Sequence, residues 1–157
     1  MSLSEVPRPA VVYGFAGVIP FAAGTLGAWL LPPEEAGLAL SAQMAYAACI
    51  LSFMGAVHWG LAMAGVGATD TRAAMTWERL GWSVMPALVA WASMLLPALP
   101  GLVVLMVTFA LLFHGDLMAI RLGLAPPWYR FLRRPLTVMV IICLGLSLIR
   151  LLLASGY

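Results

Sequence analysis

Long uncharged apolar stretches are the feature that most constrains this chain. Residues 11–31 and 102–113 contain no charged side chain. The whole chain is 64% hydrophobic and 9% charged, with a mean hydropathy of +1.03. A soluble domain of 157 residues requires a charged surface that this composition does not supply. The sequence therefore predicts an integral membrane protein, and it excludes a soluble enzyme or a nucleic-acid-binding protein.

The apolar stretches predict five membrane-spanning helices. A helix of about 20 apolar residues crosses the hydrocarbon core of a bilayer. Such segments occur at about 11–31, 38–64, 80–98, 101–121 and 135–154. We therefore expect an all-α bundle in which residues 11–157 form one transmembrane domain and residues 1–10 form a cytoplasmic tail.

The arginines predict the orientation of the bundle. With five crossings, the N-terminus and the loops 65–79 and 122–134 share one side of the membrane. That side contains Arg8, Arg72, Arg79, Arg121, Arg130, Arg133 and Arg134, whereas the opposite side contains Arg150, Glu34 and Glu35. Cytoplasmic loops carry an excess of basic residues. The expected arrangement is a bacterial inner (cytoplasmic) membrane protein with its N-terminus inside and its C-terminus outside.

Small residues recur every four positions along the second predicted span. They are Ala48, Ser52, Ala56, Gly60 and Ala64. In lipid, small residues at this interval allow another helix to approach closely. We therefore expect this stripe to pack against a helix and not against lipid.

Ionisable residues inside the spans form the candidate site. His58 and His114 lie six to seven residues from the inner ends of the second and fourth predicted spans, which is about 10 Å at 1.5 Å per residue. Asp116 requires a partner on another helix, with Arg79 or Arg130 as candidates, because an unpaired carboxylate in the membrane is costly. The predicted polar intramembrane cluster consists of His58, Trp59, Glu78, Arg79, Trp82, Asp116 and Arg121.

Three interpretations of this cluster remain open. In the first, His58 and Asp116 form hydrogen bonds between helices and stabilise the packing. In the second, His58 and His114 are the axial ligands of a b-type haem, with Gly55 and Gly115 leaving space for the macrocycle. In the third, His58 or Asp116 titrates at a proton or quinone site whose aromatic walls are Trp59, Phe113 and Trp82.

An aromatic and cationic segment follows the fourth predicted span. Two prolines precede Trp128, Tyr129, Arg130, Arg133 and Arg134. Such a segment suits the headgroup region, where its arginines meet anionic lipids. A second interpretation is a docking surface for another membrane subunit, because Trp, Tyr and Arg contribute strongly to interfaces.

Templates for catalysis and metal binding are not matched. No glycine-rich phosphate loop occurs, and the position four residues after His58 is Ala62, so a helical metal-binding pair is not formed. The serines Ser52, Ser83 and Ser93 have no nearby base in the sequence. We therefore expect neither a catalytic residue nor a metal site, and a function that is not enzymatic.

Several segments together resemble a known family. They are residues 51–60 (LSFMGAVHWG), residues 78–86 (ERLGWSVMP), Asp116 with Arg121, and residues 127–130 (PWYR) followed by Leu132 and Arg133. They are similar to a family of small polytopic bacterial inner-membrane proteins, the domain of unknown function 3429, whose animal relatives include the mitochondrial transmembrane protein 69. The resemblance implies five helices in an energy-transducing membrane, and it brings no activity with it.

The leading hypothesis is a non-enzymatic accessory or assembly subunit of a larger respiratory or photosynthetic membrane complex. Its expected partners are anionic lipid headgroups at the inner face and other membrane subunits. One alternative is a redox protein that binds haem b or quinone through His58 and His114. Another is a small proton-coupled transporter with Asp116 and His58 on its path.

Overall fold

The structure is a computed structural model that describes residues 5–154. Its regular secondary structure is helical. The helices, in chain order, are α1 (Arg8–Ala16), α2 (Ile19–Leu30), α3 (Pro33–Met63), α4 (Thr71–Ala74), α5 (Trp77–Ser93), α6 (Ala98–Arg121) and α7 (Tyr129–Ala154). No strand occurs within residues 5–154. The predicted all-α fold is confirmed.

Four helical segments are long and apolar enough to cross a membrane. They are Arg8–Leu30, which includes α1 and α2, together with Pro33–Met63, Ala98–Arg121 and Tyr129–Ala154. Helix α5 has 17 residues. Its length of about 26 Å is slightly less than the roughly 30 Å of a hydrocarbon core. The chain is thus a multi-pass helical membrane protein, and a fifth crossing by α5 stays a prediction.

The helices begin three to six residues before the predicted spans. Helix α1 begins at Arg8, whereas the predicted span begins at about residue 11; residues 1–4 lie outside the described part. The last helix begins at Tyr129 and not at residue 135, with Pro135 inside it. Proline lacks an amide hydrogen and is tolerated near the start of a helix, where fewer backbone bonds are lost. The earlier start places Arg133 inside the helix.

A break divides the first span into α1 and α2. Pro20 lies in the first turn of α2 and cannot donate to the carbonyl of Ala16, so the backbone ladder is interrupted there. The hydroxyl of Tyr46 donates to the carbonyl of Gly17 at 3.0 Å. One backbone carbonyl at the break, that of Gly17, is therefore satisfied from α3, as helices in lipid require for freed backbone groups.

The long helices pack as a closed ring. Helix α3 contacts α2 and α5, α6 contacts α5 and α7, and α7 contacts α2, while α3 and α6 also meet across the centre. The core between them is apolar and includes Phe21, Leu51, Leu105, Phe109 and Leu144. The rings of Phe21 and Phe109 meet edge to face with their centroids 6.0 Å apart. This central packing holds α2, α3, α6 and α7 in a fixed arrangement.

Most of the stripe of small residues on α3 faces outward, and only Ala48 packs against the core. Ser52, Ala56, Gly60 and Ala64 are exposed, and Ala48 is half-buried. A Cβ placed on Gly60 would meet no atom within 4 Å. Within residues 5–154 no helix covers these exposed residues, so the prediction that the stripe meets a helix stays a prediction. Helices α3 and α5 approach closely on another face of α3, at Gly55. A Cβ at this position would collide with the carbonyl oxygen of Ser83 on α5.

We expect Gly55→Ala to destabilise the protein and Gly60→Ala to leave it unchanged or slightly more stable. The first change forces α3 and α5 apart, which costs about 1–3 kcal/mol as overpacking does in other cores. The second adds a methyl group in open space and improves helix propensity. Unfolding of both variants in the same mild detergent measures the difference. Equal stability of the two variants would contradict the close contact between α3 and α5.

Candidate functional site

Three helices bring ionisable side chains to one level of the bundle. His58 lies five residues before the end of α3, and Asp116 lies five residues before the end of α6. Arg133 lies four residues after the start of α7. Each is therefore about 6–8 Å along its helix from the same end of the bundle. The sequence predicted a similar depth for His58 and His114, and His114 lies two residues before Asp116 on α6.

Asp116 joins the three helices in a buried triad. Its side chain is 1% exposed, and those of His58 and Arg133 are 10% and 5% exposed. The Oδ1 atom lies 2.7 Å from Nε2 of His58, and Oδ2 accepts from Nε of Arg133 at 2.5 Å. Each carboxylate oxygen of Asp116 thus has its own side-chain partner on another helix. The arginine and the aspartate cancel each other's charge.

The predicted partners of Asp116 are wrong in part. The hydrogen bond between His58 and Asp116 was expected in the first of the three interpretations. The arginine is neither Arg79 nor Arg130 but Arg133, which the predicted helix boundary at residue 135 had left outside the membrane. Arg79 instead donates through Nη1 to the carbonyl of Val66 at 3.0 Å, and this bond joins the start of α5 to the loop after α3.

That loop is shaped by two glycines. Gly65 and Gly67 have φ angles of +71° and +75°, a left-handed conformation that favours glycine. Gly65 ends α3 because the helix cannot continue through this conformation. At Gly67 the chain meets Leu124, in the loop between α6 and α7. The two loops at this end of the bundle are therefore in contact.

An open pocket of about 500 Å³ adjoins the triad at this end; we call it the polar pocket. His58, Glu78, Arg79, Trp82 and His114 line it, so both histidines face one space. The sequence left open whether the two histidines lie near each other; His58 is half-buried and His114 is exposed. Two members of the predicted polar cluster, Trp59 and Arg121, are exposed and do not line the pocket. Of the aromatic walls expected there, Trp82 lines it and Trp59 and Phe113 do not.

The space expected for a haem macrocycle is filled. A Cβ on Gly115 would collide with the indole of Trp82, and one on Gly55 would collide with Ser83. The expectation that these glycines make room for haem is wrong. Haem ligation by His58 and His114 stays a prediction, and His58 would have to bind iron through Nδ1 because Nε2 is engaged by Asp116. Within residues 5–154, no group of three His, Cys, Asp or Glu side chains is placed to hold a metal ion.

The aromatic and cationic segment is divided between the surface and the core. Arg130 and Arg134 are exposed, Trp128 is half-buried, and the guanidinium of Arg130 lies 4.7 Å from the centre of the Phe131 ring. Tyr129 and Arg133 are 8% and 4% exposed and point into the bundle. Their predicted role at the lipid headgroups is therefore wrong.

A second buried polar group was missed from the sequence. The amide of Gln43 donates to the carbonyl of Phe21 at 2.8 Å and to Thr25 at 2.9 Å. Thr25 also donates to the carbonyl of Cys143, and Ser147 lies 3.4 Å from Thr25. These bonds join α2, α3 and α7. The available signal was Gln43 itself, a polar side chain in the middle of an apolar helix, which requires partners when it is buried.

We expect Asp116→Leu and Arg133→Met each to lower the free energy of unfolding by about 3–5 kcal/mol, because each leaves one charge buried without its counter-charge. The double variant should lose much less than the sum, since both charges are then absent. Unfolding in mild detergent gives the double-mutant cycle. Arg134→Met, which changes an exposed arginine next to the triad, is the control and should change stability by less than about 0.5 kcal/mol. Additive losses would contradict the ion pair.

Comparisons with known proteins agree with this architecture. The family model described as "Protein of unknown function (DUF3429)" matches residues 6–149. A protein named Transmembrane protein 69 from Xenopus tropicalis is 36% identical over 155 residues, which is 94% of this chain and 56% of that protein. The protein of the same name from Mus musculus is 30% identical over 149 residues, which is 94% of this chain and 58% of that protein.

This chain thus spans a little more than half the length of these relatives. No solved structure matches it. The family match extends from the residues just before α1 to the last turns of α7, so it includes all three members of the triad. The chain belongs to the family described as protein of unknown function DUF3429, as the resemblance of its sequence motifs predicted.

Proposed function

We propose that this protein is a non-enzymatic accessory or assembly subunit of a larger complex in a bacterial inner membrane. The observation that carries the proposal is the outward position of the small-residue stripe on α3. Ser52, Ala56 and Gly60 are exposed on one face of α3, and Gly60 has open space above it. Helices associate in lipid where small residues let their backbones approach. A helix of another subunit fits this face.

The short loops between the helices support the same proposal. Within residues 5–154 the longest connections are residues 64–70 and 122–128, so the surface offered there to another molecule is mostly helix. The exposed Arg130 and Arg134 lie at the polar end of the bundle, where anionic headgroups and the polar rim of a partner are both suitable contacts. A subunit that binds laterally, within the membrane, agrees with this distribution.

We expect a photoreactive benzoylphenylalanine at Ser52 to form one protein adduct of discrete mass in native membranes. The same probe at Leu111, an exposed residue at a similar depth on α6, should react with lipid. Adding Ala56→Leu should remove the Ser52 adduct, because the larger side chain prevents close helix approach. Mass spectrometry of the adducts makes the comparison. Lipid adducts at both positions, or the same protein at both, would contradict docking on the stripe.

The proposed orientation has the N-terminus inside and the C-terminus outside. It is supported by the arginines at the end of the bundle that holds the triad and by Glu34 and Glu35 in the first turn of α3 at the opposite end. Both features suit the preference of basic residues for the cytoplasmic side.

Cysteine labelling measures this orientation. With Cys49 and Cys143 replaced by Ala, we expect Glu34→Cys to react with an impermeant maleimide in intact cells. Arg130→Cys should react after the membrane is permeabilised. Both positions are exposed in the bundle, so the difference reports the side of the membrane. The reverse pattern would invert the topology, and labelling of both in intact cells would show that they share the outer side and that α5 does not cross.

The two alternatives from the sequence stay predictions. For a redox protein that uses His58 and His114, the supporting observation is that both line the polar pocket. For proton-coupled transport, it is that His58 connects this pocket to the buried Asp116. In both cases the position of His58, and for transport that of Asp116, is also explained by the structural role of the triad.

A further inference from the structure

An apolar groove lies on the other side of the triad from the polar pocket. Its volume is about 410 Å³, within the range of about 300–1,000 Å³ typical of small-molecule sites. Helix α3 forms one wall through residues such as Phe53 and Val57. Helices α1, α2 and α7, Phe109 of α6 and the loop before α7 form the rest. Tyr13 and Phe53 at the groove are 79% and 61% exposed. The groove is therefore open to the side, where the hydrocarbon of the membrane lies.

Two polar side chains of α7 line this apolar groove without their full complement of hydrogen bonds. Arg133 is 4% exposed, and its Nη2 is buried with no partner although its Nε is bound to Asp116. Thr137 is 3% exposed, and its Oγ1 is also buried without a partner. The two residues are four apart on one helix, so they lie on the same face. Buried donors without partners are costly and uncommon.

The charge around Arg133 selects the kind of group that fits these donors. Asp116 already neutralises the guanidinium. A carboxylate or phosphate beside it would add a second, uncompensated negative charge at a buried position, and this is expensive. A neutral carbonyl oxygen accepts hydrogen bonds without that cost. The ligand should therefore be uncharged, with a carbonyl at the donors and an apolar body in the groove.

The walls indicate the shape of that body. Phe21 and Phe109 form an edge-to-face pair in the lining, and Tyr13, Phe53, Trp128 and Tyr129 also contribute to it. Aromatic walls favour a planar ring that stacks on them or meets them edge-on. From these observations we propose that the groove binds an isoprenoid quinone, with one ring carbonyl accepting from Arg133 Nη2 and Thr137 Oγ1 and the apolar tail leaving sideways into the membrane.

This site differs from the polar pocket, and its residues are not His58 and His114. It also does not depend on the stripe of small residues, which is not among the residues that line the groove. A partner subunit and a bound quinone are therefore separable properties of the protein.

The test measures ligand binding by the shift in thermal unfolding of the purified protein in lipid nanodiscs. Three probes are compared: decylubiquinone, methyl laurate and lauric acid. They provide respectively a carbonyl on a planar ring, a carbonyl without a ring, and an anion. A ligand that binds only the folded state raises the free energy of unfolding by RT ln(1 + [L]/Kd), where [L] is the free ligand concentration. Measuring the shift over a range of ligand concentrations therefore gives Kd.

Matched variants locate the site. Thr137→Val keeps the shape of the side chain and removes one hydrogen bond, so we expect it to weaken decylubiquinone binding by about 2–13-fold, the equivalent of about 0.5–1.5 kcal/mol. Val57→Trp fills the groove and should abolish binding. Thr108→Val is the control: Thr108 is also buried, donates to its own helix at Val104, and lies outside the groove. It should bind decylubiquinone as the unmodified protein does.

Each outcome decides the proposal. Saturable binding of decylubiquinone that is weakened by Thr137→Val and abolished by Val57→Trp, with Thr108→Val unchanged, supports it. Equal binding of methyl laurate would show that no ring is recognised, and preferential binding of lauric acid would show that the occupant is anionic; both overturn the proposal. So does an absence of binding, or binding that neither groove variant alters, since partitioning into the nanodisc lipid then explains the shift.

Discussion

The buried carboxylate of Asp116 is the constraint on which the rest of the bundle depends. A charged group at this depth is tolerated only when it is paired and its oxygens are hydrogen-bonded. Two helices other than its own supply the partners, His58 from α3 and Arg133 from α7. Rotating or shifting any of the three helices would break at least one bond and leave a charge in a medium of low dielectric. The triad therefore specifies the relative position of α3, α6 and α7.

The triad also separates two chemically different spaces. His58 faces the polar pocket, Arg133 faces the apolar groove, and Asp116 lies between them without lining either. One side thus offers exposed ionisable groups at the end of the bundle, and the other offers an aromatic surface open to the membrane interior.

Lipid as a solvent explains why so few polar residues specify so much of this structure. The hydrophobic effect does not drive helices together in a bilayer, so close packing and buried hydrogen bonds determine the arrangement. The triad acts at one end of the bundle, and the group around Gln43 and Thr25 joins α2, α3 and α7 elsewhere. Contacts at glycine, such as Gly24 against Gln43 and Gly55 against Ser83, bring the backbones close enough for these bonds to form.

Composition and local pattern determined the membrane environment, the helical class, the position of most of the long helices and the similar depth of His58 and His114. Each of these properties follows from the length and polarity of a continuous segment. The tertiary structure alone decided which arginine pairs with Asp116, that Tyr129 and Arg133 turn inward, and that the small residues of α3 face outward while Gly55 makes the close contact. These properties depend on where a helix starts and how it is rotated against its neighbours. A segment's own sequence does not carry that information, since in an apolar bundle several rotations bury similar surface and a few long-range polar bonds select one.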